Sequence, residues 1–222
     1  MISIITPSMG RPERLRKNLE SVIYTTGGFD VELITVIDED LDSLAVAAEL
    51  SDKVIYRKHR QGAPSAWNDG AAIAEGDYFV LNADDVIYES GWVLAAMHIM
   101  IDELNGYGLV GFNDMSPNAK GRGTHWMMSR DFAVDYNGGY MVYPGYDHNY
   151  TDWEVERRAA AINAYRWCEG AHVPHYHPDW FKHEWDSVYE RTRLHLSEDR
   201  ALYDKREAAG FPDDYPARFS KR

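Results

Sequence analysis

Gly76-Asp77-Tyr78-Phe79-Val80-Leu81-Asn82-Ala83-Asp84-Asp85 is the stretch that decides the fold of this chain. The apolar run from Tyr78 to Leu81, set between a Gly-Asp turn and acidic residues, reads as a strand buried on both faces, as in a parallel sheet. In open α/β sheets ligands bind beyond the carboxyl ends of the strands, so Asp84 and Asp85 fall where a nucleotide and a divalent cation sit. Carboxylate oxygens suit Mg²⁺ and Mn²⁺, and Mg²⁺ is usually held by one or two of them together with substrate phosphates. The plain alternative is an acidic turn that starts the next helix.

The residues upstream repeat one pattern. Ile2 to Thr6 reads as a first buried strand, and Pro7-Ser8-Met9-Gly10-Arg11-Pro12 as the turn into a helix with Leu15, Leu19, Val22 and Ile23 at helical spacing. Such a turn offers backbone N–H groups to an anion, and Arg11 adds a fixed positive charge. Val31 to Ile37 is a second strand ending at Asp38, a carboxylate placed to accept hydrogen bonds from a base or a ribose. Glu39, Asp40 and Asp42 read as a solvated cluster that starts a helix over Leu44 to Leu50. Val54 to Arg57 is a third strand. Gly62 and Pro64 to Gly76 form a loop and a small-residue helix closed by Gly76. Asn68 on that helix is either a surface polar group or a donor to a nucleotide. Four strand-helix units in succession predict an α/β fold: a Rossmann-like, mostly parallel central sheet with helices on both faces and right-handed crossovers.

Composition limits the partners. A chain of 222 residues with 45% hydrophobic and 27% charged residues has enough apolar sequence for a full core. The formal charge of -13 argues against general attraction to nucleic acid or an anionic membrane. The single Cys168 excludes an intrachain disulfide and a multi-cysteine zinc site, and reads as a small buried residue. The short apolar run Ile2 to Ile5 before Pro7 does not fit a signal peptide, and no later stretch approaches a membrane span, so a soluble, cytoplasmic protein is expected.

Downstream, Gly91 to Leu104 has a helical pattern, Tyr107 to Phe112 returns as a strand, and Asn113 to Gly123 is a loop, either a lid or a surface excursion. Gly138-Gly139-Tyr140 precedes Tyr146 to Ala160, where Thr151 or Asp152 can cap a helix whose apolar face is Val155, Ala159 and Ile162. In Ala171 to Pro178, His175 and His177 share one face if the segment is extended, and either imidazole could complete a metal shell. Trp180, Phe181 and Trp185 precede a charged helical run from Asp186 to Ala209. Gly210-Phe211-Pro212 breaks it, and a polar tail follows to Arg222.

The series Ile4-Ile5-Thr6-Pro7-Ser8 with Arg11-Pro12, the strand-terminal Asp38, Gly62 with Asn68, Ala74-Glu75-Gly76-Asp77-Tyr78 and Leu81-Asn82-Ala83-Asp84-Asp85 resembles glycosyltransferase family 2, whose catalytic domain has the GT-A fold. The resemblance implies a nucleoside-diphosphate-sugar donor, bound by Thr6, Pro7, Ser8, Arg11, Asp38, Gly62, Asn68, Asn82, Ala83 and Asp84. It implies Mn²⁺ or Mg²⁺ on Asp85, helped first by His177 and otherwise by His175. It also implies transfer to an acceptor hydroxyl with inversion, with Asp152 as general base and Glu154 as the competing candidate. Asn82 stands where many members carry a further Asp, and Asp38-Glu39-Asp40 replaces the more usual Asp-Asp-Gly-Ser. On this reading residues 1–178 are the catalytic domain, with a nucleotide-sugar half at 1–112 and an acceptor half at 113–178, and residues 179–222 are a helical extension and tail. Two other readings use the same features. One is a noncatalytic sugar- or nucleotide-binding module with an aromatic platform over Tyr136 to Trp153, and the other is a nucleotidyltransferase.

Overall fold

β1 (Ile2–Ser8), β2 (Val31–Asp38), β3 (Lys53–Arg57) and β4 (Tyr78–Leu81) are the four strands read from the sequence, and they pair in parallel in the order β3-β2-β1-β4. The computed structural model describes residues 1–117, 121–180 and 184–215. Among these, β5 (Leu109–Asn113), β6 (Trp126–Ser129) and β7 (Tyr165–His172) complete one seven-stranded sheet ordered β3-β2-β1-β4-β6-β5-β7. β6 is antiparallel to both neighbours, whereas β5 and β7 are parallel to each other. Neither β6 nor β7 is anticipated from the sequence. β6 is inserted between β4 and β5, so the stretches 1–112 and 113–178 share one sheet.

The strand period of two sorts side chains onto the two faces. Ile4, Leu33, Val80, Val110 and Met127 pack on one face with Val22 of α1 (Pro12–Thr25) and with Trp92, Val93, Ala96 and Met100 of α4 (Trp92–Asp102). Ile5, Ile34, Phe79, Leu81, Leu109 and Met128 pack on the other face. There they meet Trp67 and Ala71 of α3 (Ala63–Ile73), Phe132 of α5 (Arg130–Tyr136) and Val155 and Ala159 of α6 (Thr151–Ala161). Helices therefore cover both faces, as the alternation of elements predicts. α2 (Leu41–Leu50) rests on α1 through Val46 and Ala47 against Leu15 and Leu19. Its N-cap is Asp40, which accepts from the N–H groups of Asp42 and Ser43, so the acidic cluster after β2 does start a helix.

Three sequence expectations need correction. α3 ends at Ile73 rather than at Gly76. Gly76 is needed instead for close approach, because its N–H donates to Ser3 Oγ and a Cβ there would collide with that side chain. α6 is not capped by Thr151 or Asp152. Both lie inside its first turn, the N-cap is Tyr150 at φ 67°, and no side chain caps the helix. The charged run from 186 to 209 is two helices, α7 (Ser187–Leu194) and α8 (Leu196–Ala208), which meet at His195.

The extension docks mainly through polar groups. Asp199 of α8 accepts from the backbone N–H groups of Asp147, His148 and Asn149 at 2.8, 3.0 and 2.8 Å. Arg206 donates to both oxygens of Glu154 at 2.8 and 2.9 Å. Residues 212–215 lie along the body, where Arg206 also pairs with Asp214 and Tyr215 donates to Glu154. The rest of the expected tail (216–222), Phe181 and positions 118–120 of the expected loop lie outside the described residues. Among the described residues no helix is long and apolar enough to cross a membrane.

Candidate active site

The carboxyl ends of β1, β2 and β4 open on one side into a cavity of about 360 Å³. Pro7, Ser8, Arg11, Asp38, Gly62, Ala83, Asp84 and Asp85 line it, and so do Asp152, His175 and His177 from the later half of the chain. Parallel strands deliver the first group, because each turns toward its helix at this edge. Asp152 arrives from the N-terminal turn of α6.

Asp84 accepts from Ser8 Oγ at 2.7 Å and from Arg11 Nη1 at 3.1 Å. Asp85 Oδ2 accepts from Tyr189 Oη at 2.8 Å and lies 3.7 Å from Arg11 Nη1. Its Oδ1 lies 3.3 Å from His175 Nε2 and is buried without a hydrogen-bond partner. Burial pushes both carboxyls up. For Asp85 this is outweighed by His175, Arg11 and the Tyr189 hydroxyl, which hold it well below the usual range. Asp84 stays raised, because Arg11 only partly offsets its burial and its neighbour Asp85 adds to it. His175 titrates higher than an ordinary imidazole, as Asp85 overcomes the effect of burial, while burial holds His177 down at about 4 and His125 at about 3.

Asp85 and His175 are a fitting pair for a hard divalent cation. Among the described residues no group of three or more His, Cys, Asp or Glu side chains could hold a metal by itself. A cation that takes one or two carboxylates and fills its other positions with phosphate and water oxygens needs no more than such a pair. Of the two expected histidines, the one paired with Asp85 is His175, the second choice. His177 lines the cavity, but its Nδ1 accepts from the Asp179 N–H at 3.2 Å and its ring stacks on Trp180 at 4.5 Å. His175 is the imidazole beside Asp85.

Four residues taken from the sequence as ligands or base do not reach the cavity. Asn82 Nδ2 donates to Thr6 Oγ1 and Asn18 Oδ1, both at 2.8 Å, and its Oδ1 accepts from Asn18 at 3.1 Å. Thr6 and Asn82 thus belong to a buried polar knot that joins β1, α1 and the end of β4. An ionised aspartate at position 82 could supply neither of these donors. Asn68 is fully buried. It accepts from the N–H groups of Met141 and Val142 and donates to the Val142 carbonyl, pinning that segment against α3. Glu154 faces away from the cavity and is enclosed by Arg206, Tyr146 and Tyr215. Residues two positions apart on a helix point about 200° away from each other, so Asp152 and Glu154 face opposite sides of α6.

Asp38 lines the cavity with both oxygens already taken by Arg57, at 2.5 and 2.8 Å, its register partner on β3. Gly62 holds φ at +84°, and a Cβ there would lie 2.7 Å from the Asp147 carbonyl, so this turn passes directly beneath the loop before α6. Asp152 is half-buried, and burial pushes its carboxyl up to about 7. The nearby N–H groups and Arg122 offset only part of that rise.

Sequence reasoning missed the wall contributed by α7. Val188, Tyr189, Arg191 and Thr192 line the cavity, and Asp186 grips Arg11 with two bonds of 2.8 Å. Nothing in the local pattern marks them, since Tyr189 is the one buried residue of that helix. His125 and His148 also line the cavity and were not singled out.

Residues 3–166 match the model of the family described as Glycosyl transferase family 2. No curated protein matches by sequence. Among solved structures, the mannosyltransferase PcManGT from Pyrobaculum calidifontis, in complex with GDP-Man and Mn²⁺, superposes with a TM-score of 0.67 at 15% identity, over 94% of this chain and 64% of that one. Glucosyl-3-phosphoglycerate synthase from Mycobacterium tuberculosis, in complex with Mn²⁺, UDP-Glc and phosphoglyceric acid, gives 0.67 at 14% identity, over 96% and 81%. S. aureus TarS gives 0.59 at 13% identity, and 78% of this chain spans 36% of it. At these identities the likeness is one of fold, and the fold is GT-A.

Proposed function

This chain belongs to glycosyl transferase family 2, and we propose that it moves a sugar, of the hexosyl class, from a nucleoside diphosphate to an acceptor hydroxyl with inversion, using Asp152 as general base. One observation carries the reading. The Asp84–Asp85 pair at the end of β4 and the raised carboxyl of Asp152 line the same cavity.

The chain's own groups divide the work. Ser8 and Arg11 fix Asp84, while Tyr189 fixes Asp85 so that its unbonded Oδ1 stands beside His175. Asp85 and His175 would hold Mn²⁺ or Mg²⁺, which when bound offsets the negative charge that develops on a leaving diphosphate. Asp152 takes the proton of the acceptor hydroxyl as that oxygen attacks the anomeric carbon. A base that titrates near 7 is matched to this task at neutral pH, and such a group typically contributes about 10² to 10⁴ in rate. Attack from the face opposite the diphosphate inverts the anomeric centre.

Incubation with a panel of nucleotide-sugars and Mn²⁺, with release of free nucleoside diphosphate as the readout, tests the reaction. Slow donor hydrolysis supports a transferase. Pyrophosphate release indicates a nucleotidyltransferase, and binding without turnover a binding module. Asp85→Ala is expected to abolish the enhancement of nucleoside-diphosphate binding by Mn²⁺ in calorimetric titration. Equal enhancement in mutant and wild type would remove Asp85 from the metal site.

A further inference from the structure

We infer that Arg191, carried by the C-terminal helix α7, is a binding residue for the diphosphate of the donor. The inference rests on the donor reading above and adds to it a residue outside the segment that matches the family.

α7 is bonded to Asp85 of the aspartate pair and to Arg11. Asp186 caps it by accepting from the N–H groups of Val188 and Tyr189, and the same carboxylate grips Arg11. Tyr189 Oη donates to Asp85 and accepts from Arg14 Nη1 at 2.7 Å, and the Arg11 guanidinium lies 3.9 Å from the Tyr189 ring centroid. Arg191 follows Tyr189 by two residues and also lines the cavity.

The arginines at this edge differ in what they hold. Arg11 is paired with Asp84 and Asp186, Arg57 with Asp38, and Arg60 with Asp147 at 2.7 Å. Each is matched by a carboxylate and brings no free charge to a ligand. Arg191 is different. Among the described residues its one polar contact is Met9 Sδ at 3.5 Å, and a thioether is a weak acceptor. Met9 adjoins Ser8, the residue bonded to Asp84, so this guanidinium stands on the nucleotide side of the cavity rather than beside Asp152.

A site lined by Asp38, Asp84 and Asp85 repels a diphosphate unless cations answer it. A planar guanidinium with free N–H groups binds phosphate oxygens with two parallel, charge-assisted hydrogen bonds. Arg191 is half-buried, so such bonds form partly out of water, where they are stronger.

The test titrates the full-length chain, as wild type, Arg191→Ala and Arg191→Lys, with UDP and GDP in Mn²⁺, and with uridine and guanosine as phosphate-free controls. Wild type is expected to prefer one diphosphate over its nucleoside. Arg191→Ala should weaken that diphosphate by about 10-fold or more, leave the nucleoside unchanged, and be partly rescued in Arg191→Lys. An unaltered diphosphate-to-nucleoside ratio in Arg191→Ala would overturn the assignment while the donor reading stands. So would reduced turnover with intact diphosphate affinity, which would move Arg191 to the acceptor. Wild type that binds neither diphosphate more tightly than its nucleoside would overturn both readings.

Discussion

The two edges of the cavity are both lined by aspartate, yet among the described residues only one edge is ion-paired. Asp84 and Asp85 share Arg11, and Asp85 also has His175 and the Tyr189 hydroxyl, which keep it ionised in spite of burial. Asp152, which lines the cavity from α6, has no ion pair among the described residues, and burial lifts it to about 7. The same side chain is thus held ionised in Asp85 and pushed toward neutrality in Asp152, where the proposed role is to accept a proton. Its partners, rather than its residue type, make the difference.

The sharpest way to break this contrast is Asp152→Asn. It should lower turnover by about 10²-fold or more and leave nucleoside-diphosphate affinity unchanged. The pH profile makes the same point. A base at Asp152 would act only when deprotonated, so wild-type kcat should fall as pH drops below about 7. That acidic limb should vanish in the mutant. Normal turnover in Asp152→Asn would put the base elsewhere.

Glu154, one position beyond Trp153 on the same helix, belongs with the answered carboxylates and does not line the cavity. Arg206→Met strips the cation from a fully buried Glu154 and should cost about 3 kcal/mol of folding stability by denaturant unfolding, somewhat eased by Tyr146 and Tyr215. The folded fraction should turn over normally. A large loss of kcat at intact stability would return Glu154 to the site.

Asn82→Asp asks whether the residue behind the aspartate pair serves the ligand or the fold. It loses two donors and buries a charge, so a stability loss of about 1–3 kcal/mol is expected, with no gain in metal affinity. Tighter Mn²⁺ binding would mean that position 82 reaches the cavity after all. The smallest effect belongs to Asp40→Ala, which removes a side chain that caps α2 and accepts from the Gly10 N–H at 2.9 Å. It should cost about 1 kcal/mol through loss of the α2 cap and leave binding untouched.

The half of the molecule that builds the Asp84–Asp85 edge was legible because its strands are apolar runs and its helices have apolar stripes. Elements that fail those tests escaped. β7 carries Arg166, Trp167 and Glu169 along a strand that is buried only at Cys168 and Ala171, so it shows no period of two. β6 is four buried residues directly after an irregular loop, too short to declare a period. Two helical positions were assigned to the core and are exposed, Ile23 and Ile162 at 46% and 43%, because each falls at the end of its stripe. Roles at the site were less legible than elements. Whether Asp38 is free depends on Arg57 across a strand pair, and whether Glu154 is available depends on Arg206, 52 residues away. No local pattern encodes such partners.

The clamp made by α7 and α8 bears on where this protein can be cut. The stretch matched to the family stops at residue 166, and a boundary at 178 looks natural on the sequence alone. A chain ended there would leave Glu154 buried against Tyr146 alone, since Arg206 and Tyr215 would be gone. The N–H groups of 147–149 would lose their shared acceptor, Asp199, and Asp85 would lose Tyr189. Those losses fall on the loop beneath Asp152 and on the proposed metal ligand together. The last two helices therefore brace the cavity that the rest of the chain builds, and a chain cut at 178 is expected to lose stability and metal-dependent binding together.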